Sequence, residues 1–297
     1  MLRRSSEMIN RFFYRYIEGA LFYRELIDLI TQRISRGESR LEVSLDLGIS
    51  REEIIYDKSS NKLLIRGAEI DFKHLLERIE EDFIYKLIDN KLVRIDLYIG
   101  NKYYKLKPVG LDKAPTLEIN GIQMHRTVNI DPWTDSYLKV KSLGRVRGLR
   151  ALDICTGLGY TAINLLRRGV KEIYSIEIDE NVLRIAEMNP WSRDLEKINI
   201  ILGDAYDVIE IFDNEYFHVI LHDPPRYSVA GDLYSKDFYR KIYRILRRGG
   251  RLFHYTGEPG KHSNVDILKG IKNRLREAGF EEIKWINYAK GFLAVRY

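Results

Sequence analysis

A chain of 297 residues has room for a full α/β domain plus a smaller companion. Apolar residues make up 45%, and no run approaches the ~20 apolar residues of a membrane span, which argues against a membrane protein. One cysteine, Cys155, excludes an internal disulfide and any multi-cysteine metal centre, and no metal is expected.

The net charge of +6 is unevenly placed. Eleven Lys/Arg lie between Lys91 and Arg147 (91, 94, 102, 105, 107, 113, 126, 139, 141, 145 and 147) against five Asp/Glu (96, 112, 118, 131 and 135). This segment alone therefore carries the whole excess. Two readings stay open: a solvated surface, or a basic face that meets the phosphates of a nucleic acid. Charged residues reach 31% and glutamine occurs only at Gln32 and Gln123, a bias that suits a heat-adapted organism. The N-terminal stretch is broken by Arg11, Arg15 and Glu18 and lacks the apolar core of a signal peptide. A cytoplasmic protein is expected, and its oligomeric state is left open.

In chain order, residues 1–36 place Ile9, Phe13, Tyr16, Ile17, Ala20, Ile27, Ile30 and Ile34 at helical spacing, predicting one or two amphipathic helices over residues 5–35. From Arg40 the period becomes two. Strands are predicted over 41–47, 53–57, 62–66, 92–99 and 103–106, with a short helix at 72–81, giving a small β-rich α+β domain over 37–108. The run Leu47–Glu53 has the look of a helix-turn-helix turn, but strand patterns flank it. Residues 109–148 read as a basic, Gly/Pro-rich linker carrying His125, Arg126 and the run Asp131–Tyr137. Over 149–297, strands near 150–154, 173–178, 198–202, 217–222, 251–256, 282–288 and 292–296 alternate with helices near 160–168, 180–188, 235–247 and 264–278. That alternation predicts an α/β fold with a doubly wound, Rossmann-like, seven-stranded sheet. The last two strands are too close in sequence to be parallel and must form a hairpin.

The most telling stretch is ALDICTGLGY, Ala151–Tyr160: a buried strand, a turn of small residues and the start of a helix. Gly157 and Gly159 let the backbone turn sharply and approach a ligand with no Cβ in the way. Ligands in such sheets lie beyond the carboxyl ends of the strands. Glu177, ending the second strand, is placed to accept ribose hydroxyls, and Asp204, ending the third, to accept from an adenine amine. These residues resemble the class I S-adenosylmethionine-dependent methyltransferases. Asp153, Gly157 and Gly159 match that superfamily's first motif, Glu177 in IEID its second and Asp204 in GDA its third. The resemblance covers residues 130–297 and implies S-adenosylmethionine as cofactor, held by Asp153, Thr156, Gly157, Gly159, Glu177, Ile178, Asp204 and Ala205. Cys155 stands where the superfamily usually has its first glycine.

The fourth strand ends in Asp223-Pro224-Pro225. Paired prolines fix φ and stiffen the tip. The Asp223 carboxylate and the Pro224 carbonyl can then accept from one NH₂ group and align its lone pair, and positioning of that kind accounts for ~7–11 kcal/mol of a barrier. The tip resembles the D/N-P-P-aromatic motif of methyltransferases acting on exocyclic or amide nitrogens, which implies catalytic roles for Asp223, Pro224 and Pro225. Arg226 replaces the aromatic residue, and Tyr227 follows it. Arg226, Tyr227, His125 and Trp133 are the candidate substrate contacts; the plainer readings are a surface salt bridge for Arg226, a structural hydrogen bond for His125 and packing against the sheet for Trp133. The runs Asn189–Ser192, His222–Ser228 and His254–Lys261 resemble an uncharacterised archaeal group of predicted methyltransferases. His125, His222 and His254 are expected as structural hydrogen bonders rather than acid/base groups.

The leading expectation is a methyltransferase acting on an exocyclic base amine in ribosomal or transfer RNA, with cytosine as the guess. Three rivals stand beside it. Ala162 occupies the third-glycine position of a NAD fingerprint, but GDA and DPP do not belong to one. A polyamine aminopropyltransferase uses a related cofactor on the same fold. A non-catalytic RNA-binding factor would keep the fold without the chemistry.

Overall fold

The computed structural model describes residues 10–227, 229–257 and 266–297. Residues 5–9 of the predicted N-terminal stripe, Ser228, and residues 258–265 of the HYTGEPGK run and the last predicted helix lie outside them. The chain divides into two compact units. One comprises the described residues up to Tyr14, Trp133–Leu183 and Asp194–Tyr297; the other comprises Arg15–Pro132 and Arg184–Arg193.

The first unit is built on one mixed sheet of eight strands. In spatial order these are Arg11–Phe12, Asn199–Leu202, Glu172–Glu177, Arg150–Ile154, Phe217–His222, Leu246–Tyr255, Gly291–Val295 and Glu281–Ile286. The five from Asn199–Leu202 to Leu246–Tyr255 run parallel. Gly291–Val295 pairs antiparallel with both Leu246–Tyr255 and Glu281–Ile286, as the short connection demands. The α/β class holds, but the predicted seven strands become eight. Arg11–Phe12 adds an antiparallel edge, pairing Arg11 with Ile201, and two residues are too few to show a period.

Strand order reverses at Arg150–Ile154. From there the chain winds outward to Glu172–Glu177 and Asn199–Leu202, then returns to the other side at Phe217–His222. Such a switch point opens a crevice between the carboxyl ends of the two central strands. Phe217–His222 is buried along its length apart from His218, the near-continuous apolar run expected of a strand covered on both faces. Leu152, Ile154, Ile176, Ile220 and Leu252 pack beneath the crevice with Phe238, Ile242 and Leu275 from the covering helices.

The second unit contains three small antiparallel sheets. Arg40–Val43, Glu52–Asp57, Lys62–Ile65 and Ala68–Asp71 form one; Ala20–Phe22, Tyr85–Ile88 and Lys91–Arg94 another; Asp96–Ile99, Lys102–Lys107, Thr116–Ile119 and Ile122–Gln123 the third. The predicted strand over 92–99 is two strands that serve different sheets, with Ile95 between them bonding to Ile84. The predicted helix at 72–81 is present as Phe72–Arg78, capped by Asp71. Within Leu47–Glu53, Leu47–Arg51 is a turn in which Asp46 accepts from the Ile49 and Ser50 amides, and Glu52 and Glu53 open the next strand, so no helix-turn-helix forms there. Asn189–Ser192 also lies in this unit, where the Trp191 indole donates to the Leu47 carbonyl at 3.0 Å.

Two segments depart from expectation. The described part of residues 5–35 holds one helix, Arg24–Ser35, within the expected one or two, but Ala20–Phe22 of the predicted helical stretch lie outside it. Ala20, Leu21, Phe22 and Tyr23 are all buried, and a helix exposing one face cannot bury four consecutive side chains. Ala20–Phe22 form a strand instead, and Tyr23 stands just before the helix. Residues 109–148, expected as a linker, carry the hairpin Thr116–Ile119/Ile122–Gln123 and the helix Pro132–Ser142. Asn120 and Gly121 both take positive φ, the turn that favours Asn-Gly, and Pro132 opens its helix where a missing N–H costs nothing. Among the described residues, no helix is long and apolar enough to cross a membrane.

Candidate active site

The first strand ends at Ile154 and enters the loop Cys155–Gly159. Cys155 has φ of +74°, the left-handed conformation a glycine would adopt without strain. The cysteine therefore carries backbone strain, which costs on the order of 1–3 kcal/mol and marks a constrained loop. Burial, foremost, and the carboxylates of Glu177, Asp223, Asp153 and Asp204 push the Cys155 thiol well above its ordinary pKa, so it stays protonated. A protonated thiol is a poor nucleophile. Gly157 has φ of +54° with nothing within 4 Å of where a Cβ would stand, so the loop faces open space there.

Asp153 does not face that space. It is fully buried, and its two oxygens accept from Thr161 Oγ1 and Ser175 Oγ, both at 2.7 Å. Thr156 is buried as well, its hydroxyl 2.6 Å from that of Ser175. The expected direct ligand contacts of Asp153 and Thr156 give way to a scaffold that ties the first strand, the loop, the following helix and the second strand together. Burial pushes the Asp153 carboxyl up from 3.8 to about 7. The folded state then holds a proton that the unfolded chain has lost, so this group's contribution to stability falls as pH rises from about 4 to 7. Asp153→Asn is expected to remove that fall. Its denaturant midpoint should gain on the parent's across this range and run level with it above, while a constant offset at every pH would refute the assignment.

Glu177 is buried at the tip of the second strand. Its Oε2 accepts from the Gly157 amide at 2.9 Å, and Oε1 accepts from the Ile178 and Asp179 amides at 3.0 Å. A carboxylate has about four acceptor positions, so roughly one remains, on Oε2, for a ligand hydroxyl. Burial raises the Glu177 pKa against the pull of those amides. Ile178 beside it is an exposed apolar side chain. Asp204 is exposed at the third tip, where Oδ1 caps the helix Ala205–Val208 by accepting from Tyr206 at 2.8 Å; Ala205 is buried behind it. Open space before Gly157, an acceptor for a hydroxyl, an exposed apolar face and a carboxylate at the rim suit the ribose, ring and amine of a nucleoside cofactor.

The Asp-Pro-Pro tip lies against this loop, with the Asp223 amide donating to the Ile154 carbonyl at 3.2 Å. Asp223 Oδ2 accepts from the Lys139 ammonium at 2.7 Å, and Lys139 also meets Asp135 Oδ2 at 3.1 Å, one helical turn back. Asp135 and Lys139 are both buried, and sequence reading passed over them as functional groups. Their i,i+4 spacing in a helix opened by Pro132 was the available signal. Tyr234, also missed, donates to the Pro225 carbonyl at 2.8 Å, whereas among the described residues the Pro224 carbonyl has no hydrogen bond. Arg226 and Tyr227 are exposed, and Tyr227 meets Tyr234 edge-on at 5.3 Å.

The remaining candidates are placed as follows. Trp133 packs edge-on against Tyr160 at 5.7 Å with the Arg167 guanidinium over its ring, so it sits against the helix after the loop. His125 belongs to the other unit, 3.0 Å from the Thr116 hydroxyl. His222 and His254 are fully buried register partners whose rings stack at 4.4 Å. His254 bonds to the Tyr239 hydroxyl at 3.0 Å, as expected of a structural hydrogen bonder. His222 departs from that expectation, since neither ring nitrogen has a hydrogen-bond partner among the described residues. Burial drives the His254 pKa down to about 3 and that of His222 well below its ordinary value, so both remain neutral and serve as packing.

Residues 151–250 match the family model described as a methyltransferase domain. The chain is 42% identical over 276 residues to an uncharacterized protein of Methanocaldococcus jannaschii, MJ1233, covering 90% of this chain and 93% of that one. It is 29% identical over 133 residues to a polyamine aminopropyltransferase of Korarchaeum cryptofilum, covering 43% of this chain and 41% of that one. A spermidine synthase solved with a transition-state analogue shares the fold, with a TM-score of 0.53 and 17% identity over 72% of this chain and 76% of that one. Together with the motif order along the strand tips, these likenesses place the chain in one family with the M. jannaschii protein, within the class I S-adenosylmethionine-dependent methyltransferases.

Proposed function

We propose that the enzyme methylates an exocyclic amine of a base in ribosomal or transfer RNA, cytosine being the first candidate. The observation that carries this reading is the acceptor tip: a carboxylate and a carbonyl on a proline-stiffened turn, tied by the Asp223 amide to the end of the first strand, where the loop that faces open space begins. In this reading Glu177, Ile178 and Asp204 hold the nucleoside of S-adenosylmethionine, which supplies an electrophilic methyl group when bound. Asp223 and the Pro224 carbonyl accept from the two N–H bonds of the amine. With that methyl group passed from the sulfonium to the amine nitrogen, the surplus proton would leave to Asp223 or water. Arg226 and Tyr227, exposed beside the tip, are the proposed base contacts.

The basic segment supports the RNA half of the reading less strongly than its composition suggested. Arg94, Lys105, Lys107 and Lys139 are engaged by Asp96, Glu80, Glu118, Asp82, Asp135 and Asp223. Lys91, Lys113, Lys141, Arg145 and Arg147 are exposed and could meet phosphates.

Aminopropyl transfer to a polyamine is the second reading, favoured by the fold likeness to spermidine synthase over 72% of the chain. Against it, Lys139 already offsets the charge of Asp223, and a polycationic substrate needs uncompensated carboxylates. One assay separates the readings. The protein is incubated with bulk tRNA and rRNA plus S-adenosylmethionine, or with putrescine and spermidine plus the decarboxylated cofactor, and products are weighed by mass spectrometry. Methylated nucleosides, with RNA affinity that falls steeply with salt, are expected. Extended polyamines with unaltered RNA would replace the first reading by the second.

A further inference from the structure

We propose that the amino-terminal edge of the parallel sheet, at the far end of the strands from the cofactor crevice, is an RNA-anchoring surface on which Arg145, Arg147, Lys171, Arg247 and Arg248 meet backbone phosphates. The inference deepens the RNA reading above and rests on it for the identity of the polyanion.

These residues come from three stretches of the chain, and the fold gathers them at one edge. Arg145 and Arg147 lie in the loop that leads into Arg150–Ile154, and Lys171 immediately precedes Glu172–Glu177. Arg150 and Glu172 are register partners, so both connections enter the sheet at the same end. Arg247 and Arg248 follow Leu246 at the start of Leu246–Tyr255. There the pairing passes from Phe217–Leu246 to Val219–Arg251, so Arg247, Arg248 and Gly249 bulge out of the ladder. All three are exposed, as are Arg145, Arg147 and Lys171. Four neighbouring strands carry the row from Lys171 to Arg247, and at about 4.8 Å between strands it runs for about 15 Å.

The connections are held by contacts that leave these cations in solvent. Arg251 donates to the carbonyls of Leu143 and Arg145, the latter at 2.7 Å, and Arg168 donates to that of Gly144 at 2.7 Å. The Gly148 amide donates to the Gly169 carbonyl and the Lys171 amide to the Leu149 carbonyl, both at 2.8 Å. Arg247 Nη1 stands 3.0 Å from His218 Nε2, and the other nitrogen of that ring accepts from the Arg150 amide at 3.2 Å. Guanidinium groups thus build the scaffold as well as its face.

The carboxylates at this edge are already engaged. Glu172 accepts from Arg150 at 2.6 Å and Glu215 from Arg296 at 2.9 Å, with Arg248 3.8 Å from Glu215. Among the described residues, Arg145, Arg147, Lys171 and Arg247 have no ion pair. Uncompensated cations in a row raise the local concentration of a polyanion, and the planar guanidinium fork matches phosphate oxygens. An anionic membrane fits less well. The exposed residues of 144–148, 171 and 247–249 include no apolar side chain to enter a bilayer, and stable anchoring takes more than one signal. Strands of five or six residues put this edge roughly 17–20 Å from their tips. An RNA anchored here reaches the crevice only by passing round the domain, which selects a large folded RNA over a short oligonucleotide.

The test compares Arg145→Ala/Arg147→Ala and Arg247→Ala/Arg248→Ala with the control Lys269→Ala/Arg276→Ala, an equal charge change at exposed positions of the helix Ile267–Glu277. Binding of bulk tRNA and of rRNA fragments is measured by fluorescence anisotropy over a range of salt. Each edge variant is expected to bind roughly tenfold more weakly, with a log–log salt slope shallower by about 1.5–2, while the control stays within about twofold of the parent. All three should keep the parent's melting temperature and S-adenosylmethionine affinity. Unchanged affinity and slope in the edge variants, or equal losses in the control, overturn the proposal. So does binding to phosphatidylserine vesicles with none to RNA, which would make the edge a membrane contact. If the edge variants lose RNA as expected but the parent methylates no RNA, the base-amine reading fails and the anchoring surface stands. If RNA is methylated and the edge variants bind it like the parent, the reverse holds.

Discussion

Asp223→Ala is expected to lower kcat by on the order of 10²–10³-fold while changing the dissociation constant for S-adenosylmethionine by less than about threefold. Removing one preorganised polar group aimed at the reacting atoms typically has this effect. The fold should tolerate the change, because Lys139 keeps Asp135 as a counter-ion at 3.1 Å and is not stranded. Asp223→Asn should fare little better. Its amide oxygen would turn to Lys139, presenting an NH₂ donor to a substrate amine that is itself a donor. Isothermal titration with the cofactor, beside single-turnover rates, separates the two quantities. Parallel loss of binding and turnover would mean that Asp223 shapes the loop rather than the reaction.

Gly159→Ala should cost about 2–5 kcal/mol of stability and abolish cofactor binding. Gly159 has φ of +78°, where a side chain costs about 1–2 kcal/mol. Its Cβ would stand 2.4 Å from Leu195 Cδ2 and 2.6 Å from Cγ, and Leu195 is fully buried, so overpacking adds about 1–3 kcal/mol. Against a total stability of about 5–15 kcal/mol, that is a large share. Gly157→Ala is the control. Its added methyl meets open space, so thermal denaturation should show a loss near the strain alone while cofactor affinity still falls. Equal melting temperatures for the two variants would contradict the packing argument.

The two glycines show why much of the site was legible in advance. A positive-φ turn between a buried strand and a helix leaves a local mark that small residues satisfy best, and Cys155 at φ +74° meets the same backbone demand. The parallel strands and covering helices were likewise readable, their periods and breakers lying within a few residues of one another. Ala20–Phe22 and the hairpin around Asn120-Gly121 went unread for different reasons. The first mimicked a helical stripe, whereas the second carried a turn signal inside a segment that looked structureless.

Local period and turn chemistry therefore settled, from sequence alone, the alternating α/β order, the three strand-tip motifs and the rigid Asp-Pro-Pro turn. Tertiary structure decided what each polar group does. It sealed Asp153 under Thr161 and Ser175, spent most of Glu177 on loop amides and stacked His222 on His254. It also brought Lys139 across 84 positions to Asp223. Burial and ion pairing depend on which distant segments share a low-dielectric space, and no spacing along the chain reports that.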